Sequence, residues 1–199
     1  MARASHDLHG SAPDKSEAAL LLIDVINDFD FPEGDQLLQL ARPVGKNIAE
    51  LKKRAKDAGI PCIYVNDNFG KWQSDFNKIV EHCTAAEAKG KDFVKQLVPG
   101  DDDYFVLKPK HSGFYSTTLS LLLTHLTAKN LIVTGIAGNN CVLVTANDAY
   151  MRDFKLFVPA DCLVSNTNEE NQHALKQMQT VLKADVRIST ELDLQKISG

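Results

Sequence analysis

An acid, a base and a thiol stand where three hydrophobic runs of this sequence end. AALLLID closes on Asp24, YFVLK closes on Lys108, and NLIVTG leads through a glycine turn to Cys141. A thiol is mostly protonated at neutral pH, and its thiolate is the reactive form. A carboxylate nearby can take that proton and later hand it to a leaving amine. An ammonium can hold the acid in place and favour negative charge beside it. A helix opening at Cys141 adds its dipole and free N–H groups to the same end. Together the three side chains suit covalent attack on a carbonyl. Taken singly, each has a plainer role: Cys141 as a packing residue, Asp24 as a turn residue, Lys108 as a surface lysine before Pro109.

Whether they converge depends on the elements that carry them. The chain alternates apolar runs with amphipathic stretches. Strands are expected at 18–24, 60–66, 104–108, 130–135, 155–160 (KLFVPA) and 185–189 (DVRIS). Leu37, Leu40, Val44, Ile48, Leu51, Ala55 and Ala58 form one helical stripe that Gly59 stops, with Pro43 leaving the first turn separate or irregular. Ser74 is the expected cap of a helix through about residue 89, and the connector 89–103 holds a short helix. Ser116 is the expected cap of a helix carrying Leu119, Leu122, Leu123 and Leu126. Further helices fall at about 141–152 and 168–182. This order predicts an α/β fold, a Rossmann-like three-layer α/β/α sandwich around a six-stranded parallel sheet. Ligands of such sheets bind beyond the carboxyl ends of the strands, where Asp24, Lys108 and Cys141 lie.

Composition narrows the rest. With 199 residues, 44% hydrophobic and 24% charged, the chain suits one domain over 17–199, preceded by a polar arm over 1–16 that is mobile or packs on a partner. The net charge is −4, and the Lys52-Lys53-Arg54 cluster reads as a solvated helix face, so no nucleic-acid partner is expected. No apolar stretch approaches a membrane span, and the first 16 residues lack the apolar core of a signal peptide. Cys62, Cys83, Cys141 and Cys162 form no CxxC pair, which fits reduced cytoplasmic thiols and argues against a disulfide framework or zinc site.

Three ordered motifs, LLIDVINDF, VLKPKHSGFYSTTL and VTGIAGNNCVLVTANDAY, resemble those of the isochorismatase-like cysteine hydrolases. Pro159-Ala160-Asp161 fits an acidic turn of that family, and the resemblance runs from about residue 18 to residue 189. It implies a catalytic triad of Asp24, Lys108 and Cys141, a cis peptide at Ile136–Ala137, and an oxyanion hole from the backbone N–H groups of Ala137 and Cys141. It also implies a homodimer or homotetramer. The implied reaction is hydrolysis of a C–N bond in a small amide, carbamoyl compound or ureide through a thioester, without cofactor. Nicotinamidases of the family bind a metal through an Asp-x-His motif after strand two. Here Asp67 is present, but Phe69 replaces the histidine and no histidine follows until His82, so no metal is expected. Two alternatives stay open: a vinyl-ether hydrolase in which Cys141 is incidental, and a non-catalytic binding protein. A nucleotide-binding turn is disfavoured, because Gly135-Ile136-Ala137-Gly138 is not GxGxxG and follows the wrong strand. Expected substrate-pocket residues are Phe29, Asn66, Asn68, Trp72, Phe114 and Tyr115. Trp72 and Phe114 suit the core or a subunit contact equally well. His111 reads as a solvent or interface residue, and the run before the cysteine is Gly138-Asn139-Asn140, where relatives often carry Thr-Asp before the residue that precedes the cysteine.

Overall fold

The computed structural model describes residues 14–70, 72 and 75–199. Its strands are β1 (Ala18–Ile23), β2 (Cys62–Asp67), β3 (Tyr104–Lys108), β4 (Asn130–Ile136), β5 (Lys155–Phe157) and β6 (Leu163–Val164). All pair in parallel, in the order β3-β2-β1-β4-β5, with β6 on β4 beyond the end of β5. Every residue of β1 is buried, as a central strand covered on both faces requires. Its side chains alternate. Ala18, Leu20 and Leu22 join a core with α1 (Gly34–Asp57), α2 (Phe76–Thr84), α3 (Lys91–Val94) and α7 (Leu194–Ser198). Ala19, Leu21 and Ile23 join a second core with α4 (Leu119–Leu126), α5 (Leu143–Tyr150) and α6 (Asn168–Thr180). The period of two thus builds the three layers of the sandwich. Among the described residues, no helix is long and apolar enough to cross a membrane.

The sixth strand differs from the expected one. DVRIS is not a strand: Asp185 makes only an isolated bridge to Phe157, and the chain then enters a 3₁₀ turn at Ser189–Glu191. Asp185 and Arg187 pair with each other instead of continuing a ladder. Asp161 accepts from the Ser189 N–H at 2.7 Å and its hydroxyl at 2.8 Å, which fixes the turn. Two residues, Leu163 and Val164, supply the sixth strand, too few to show a period. The helix α7, with Leu194 and Ile197 in the core, was also unforeseen.

Pro43 lies inside α1, which runs unbroken from Gly34. The proline leaves the Gln39 carbonyl without its helical partner, but both residues are exposed and water can serve it. The basic cluster on α1 is not simply solvated. Lys52 pairs with Asp103 at 2.6 Å and Arg54 donates to the carbonyls of Ser189 and Leu192. Ser116 has φ +53° and caps nothing; Thr118 takes the N-cap position of α4. Ser74 lies outside the described residues, and Asp75 caps α2 by accepting from the Lys78 N–H.

Gly135 shows how tightly the central strands pack. Its φ is +124°, and a Cβ there would sit 2.0 Å from the Ile23 carbonyl oxygen. Gly135→Ala is expected to cost about 3 kcal/mol or more, from overpacking plus an unfavourable backbone region. Urea denaturation with a wild-type midpoint would contradict this packing.

Candidate active site

Strand register brings the chemistry to one edge. Ile23 pairs with Val65 and with Gly135, and Asp67 pairs with Lys108, so Asp24, Asp67 and Lys108 emerge together at the carboxyl ends. Asp24 turns the chain at φ +50°, a conformation aspartate tolerates better than most residues. One carboxylate oxygen accepts from Lys108 Nζ at 2.8 Å and the other from the Asp67 N–H at 2.7 Å. Lys108 is fully buried, and its ammonium also lies 3.7 Å from Asp67 Oδ2 and 3.5 Å from Cys141 Sγ.

Cys141 is half-buried in a π-type turn, Gly138–Val142, between β4 and α5. The α-helix itself starts at Leu143, two residues later than expected. The Ile136–Ala137 peptide is cis. The Ala137 carbonyl accepts from the N–H groups of Asn140 at 3.0 Å and Val142 at 3.2 Å, which closes the turn. Asn139, unassigned from sequence, donates its N–H to the buried Ser165 hydroxyl at 2.9 Å and so ties the turn to the loop after β6.

Burial sets the electrostatics. It lifts the Asp24 carboxyl above the usual carboxylate range, against the pull of Lys108 and of the hydrogen bonds from Cys141 and Asp67. Burial works against charge on Lys108, but Asp24 and then Cys141 and Asp67 outweigh it and raise its proton affinity. The Cys141 thiol is pushed up to about 12 by burial and by Asp24, with Lys108 opposing. The resting sulfur is therefore protonated, beside a carboxylate of raised basicity.

The expected pocket residues divide. Asn68, Trp72 and Tyr115 lie on the loops beyond the strands. Asn68 helps line a pocket of about 180 Å³ with Asp28, Phe69, Ile79 and His82, while Trp72 and Tyr115 are exposed. Phe29, Asn66 and Phe114 are structural instead. Phe29 is fully buried, edge-on to Phe93 at 5.5 Å. Both polar ends of the buried Asn66 amide bond the Ile26 backbone, at 3.0 and 3.1 Å. Phe114 packs on Phe154, with the Arg152 guanidinium 4.7 Å from its ring centre. His111 is exposed, as a solvent-facing residue would be, but its Nδ1 also lies 3.8 Å from Cys141 Sγ, a contact the sequence did not suggest.

The residues around Asp67 do not fit a metal. Asp67 Oδ1 accepts from the Phe69 N–H, Oδ2 faces Lys108, and His82 is paired with Asp28 at 2.8 Å. Among the described residues, no three His, Cys, Asp or Glu side chains gather as a ligand set.

A family model described as the isochorismatase domain matches residues 18–189. The chain belongs to the isochorismatase family. It is 44% identical over 178 residues to the uncharacterized isochorismatase family protein YaaI of Bacillus subtilis (strain 168), covering 89% of this chain and 97% of that one. The isochorismatase of the same organism is 30% identical over 170 residues, covering 82% of this chain and 53% of that longer one. In structure, the chain matches the N-carbamoylsarcosine amidase of Thermoplasma acidophilum with a TM-score of 0.69 at 23% identity, covering 89% and 99% of the two chains. That likeness shows a shared fold. As an isochorismatase-family member the protein is a hydrolase.

Proposed function

We propose that this hydrolase cleaves a C–N bond of a small amide, carbamoyl compound or ureide through a thioester on Cys141, without a metal. The observation that carries the reading is the chain of contacts from Cys141 Sγ to Lys108 Nζ at 3.5 Å and on to Asp24 at 2.8 Å. Asp24 takes the thiol proton as sulfur attacks the carbonyl carbon; its raised basicity favours that transfer. The N–H groups of Ala137 and Cys141 receive the oxyanion. Asp24 passes the proton to the leaving nitrogen, then draws one from the water that releases the acyl group. Lys108 stays charged throughout and holds Asp24 in place. The reading includes a cytoplasmic homo-oligomer, and four free cysteines suit a reducing compartment.

The identity to a Bacillus isochorismatase favours a second reading, vinyl-ether hydrolysis with Cys141 unused. An ammonia-release screen over small amides, carbamoyl compounds and ureides, run with and without EDTA, separates the two. Ammonia release by at least one class, unchanged by the chelator, is expected. No release across the panel, with turnover of isochorismate, would sink the C–N reading.

A further inference from the structure

The sulfur of Cys141 lies between a buried pair and a solvent-facing imidazole. Lys108 approaches from the interior at 3.5 Å, whereas His111 is exposed and places Nδ1 at 3.8 Å. The loop that carries His111 is anchored to α5, the helix that follows the nucleophile. The Ser112 hydroxyl donates to the Asp148 carboxylate, and the Gly113 N–H donates to Thr145 Oγ1 at 3.0 Å. Ser112 and Gly113 are both buried. The turn that carries the thiol runs directly into the helix on which the His111 loop is anchored.

We propose that His111 is a further catalytic residue, a second acceptor for the Cys141 thiol proton on the solvent side of the site. The proposal rests on the nucleophilic reading of Cys141. With the proton on Nε2, the free lone pair of Nδ1 faces the sulfur. The S–H bond breaks, an Nδ1–H bond forms, and a neutral pair becomes a thiolate–imidazolium pair. The sulfur electron pair then goes to the carbonyl carbon, and the proton on His111 exchanges with solvent or moves to the leaving nitrogen.

Geometry supplies the reason for a second acceptor. Both Asp24 oxygens are already engaged, by Lys108 and by the Asp67 N–H. Protonating Asp24 also removes the nearer counter-ion of a fully buried ammonium, leaving Asp67 Oδ2 at 3.7 Å. An imidazole at the rim avoids that cost, and the imidazolium it becomes stabilises the thiolate. The charged groups bearing on the contact are Cys141 itself, Lys108, Asp24 and Asp67 behind the sulfur, Lys110 in the same loop, and Asp148 beneath Ser112.

Alkylation of Cys141 by iodoacetamide tests this in the full-length free enzyme, with modification quantified at Cys141 by peptide mass spectrometry. In the wild type Cys141 should be alkylated at pH 7.5 although its thiol is held protonated, because His111 takes the proton as the sulfur attacks. In His111→Gln and His111→Asn the rate at pH 7.5 should fall about tenfold or more. His111 is exposed, so the melting temperatures of both variants should match the wild type. Either variant alkylated at the wild-type rate overturns the proposal and leaves Asp24 as the base. Failure of the nucleophilic reading looks different: substrate turnover would survive Cys141→Ala.

Discussion

Cys141→Ala should reduce turnover of the best C–N substrate by about 10⁴-fold or more, as removal of a covalent nucleophile does. No other thiol can take over. Cys62, Cys83 and Cys162 are buried, and burial pushes Cys62 up to about 12 and Cys162 higher still. Cys141 is raised to a similar level, yet it alone has a carboxylate, an ammonium and an imidazole within reach. Its proton therefore leaves as sulfur attacks, and the thiolate is not a standing resting form. The substitution should leave stability nearly intact, because the half-buried side chain makes only weak polar contacts. Activity measured by ammonia release, beside a thermal melt, separates the two effects. A variant retaining more than a tenth of the wild-type rate would refute the thioester.

The placement of Asp24 and Lys108 was legible because each closes an apolar run that suits a parallel strand. AALLLI has no polar residue to face solvent, so Asp24 had to lie at the end of a central strand, whereas Lys108 closes β3, an edge strand whose Phe105 is exposed. What lay around them was less legible. Phe29 follows Asp24 by five residues and looked like a pocket wall. It turns inward at φ +58°, into room kept by Gly90, where a Cβ would lie 2.7 Å from its ring. That glycine is 61 positions away in sequence, and nothing local announces the pairing. Asn66 ends a strand as a binding residue might, but its side chain closes the loop after β1 by bonding Ile26. His111 is the reverse case. It sits in a loop without periodicity, and its contact with Cys141 arises from the anchors of its neighbours on α5. Single-residue loop geometry of this kind is set by tertiary partners and leaves no pattern in the chain.

Lys108→Met should destabilise the protein by about 3–5 kcal/mol near pH 8, because it strands the Asp24 carboxylate in a buried site. Asp67 cannot compensate as a cation would; its N–H, at 2.7 Å from Asp24 Oδ1, and the Cys141 thiol are the neutral donors left. The pH dependence follows from which group holds its proton. In the wild type the folded state raises the proton affinity of Lys108. Its contribution is therefore complete below the unfolded lysine value of about 10.4 and is lost as pH rises through the higher folded value. Asp24 is also raised in the folded wild type. Its own protonation thus favours folding at pH below about 3.9, an advantage lost as pH rises through the folded value. Without the ammonium, Asp24 loses the charge that pulled its proton affinity down, and it takes up a proton at higher pH than in the wild type. Neutral Asp24 no longer carries an unpaired buried charge. The stability gap between wild type and variant should accordingly be widest near pH 8 and narrow as pH falls towards 5. Urea unfolding at a series of pH values measures that gap directly. A gap that is constant with pH would mean that lost packing of the lysine stem, rather than the stranded carboxylate, accounts for the cost. Activity should fall at every pH in the series, since a protonated Asp24 no longer accepts the thiol proton and an ionised one lacks the partner that positions it.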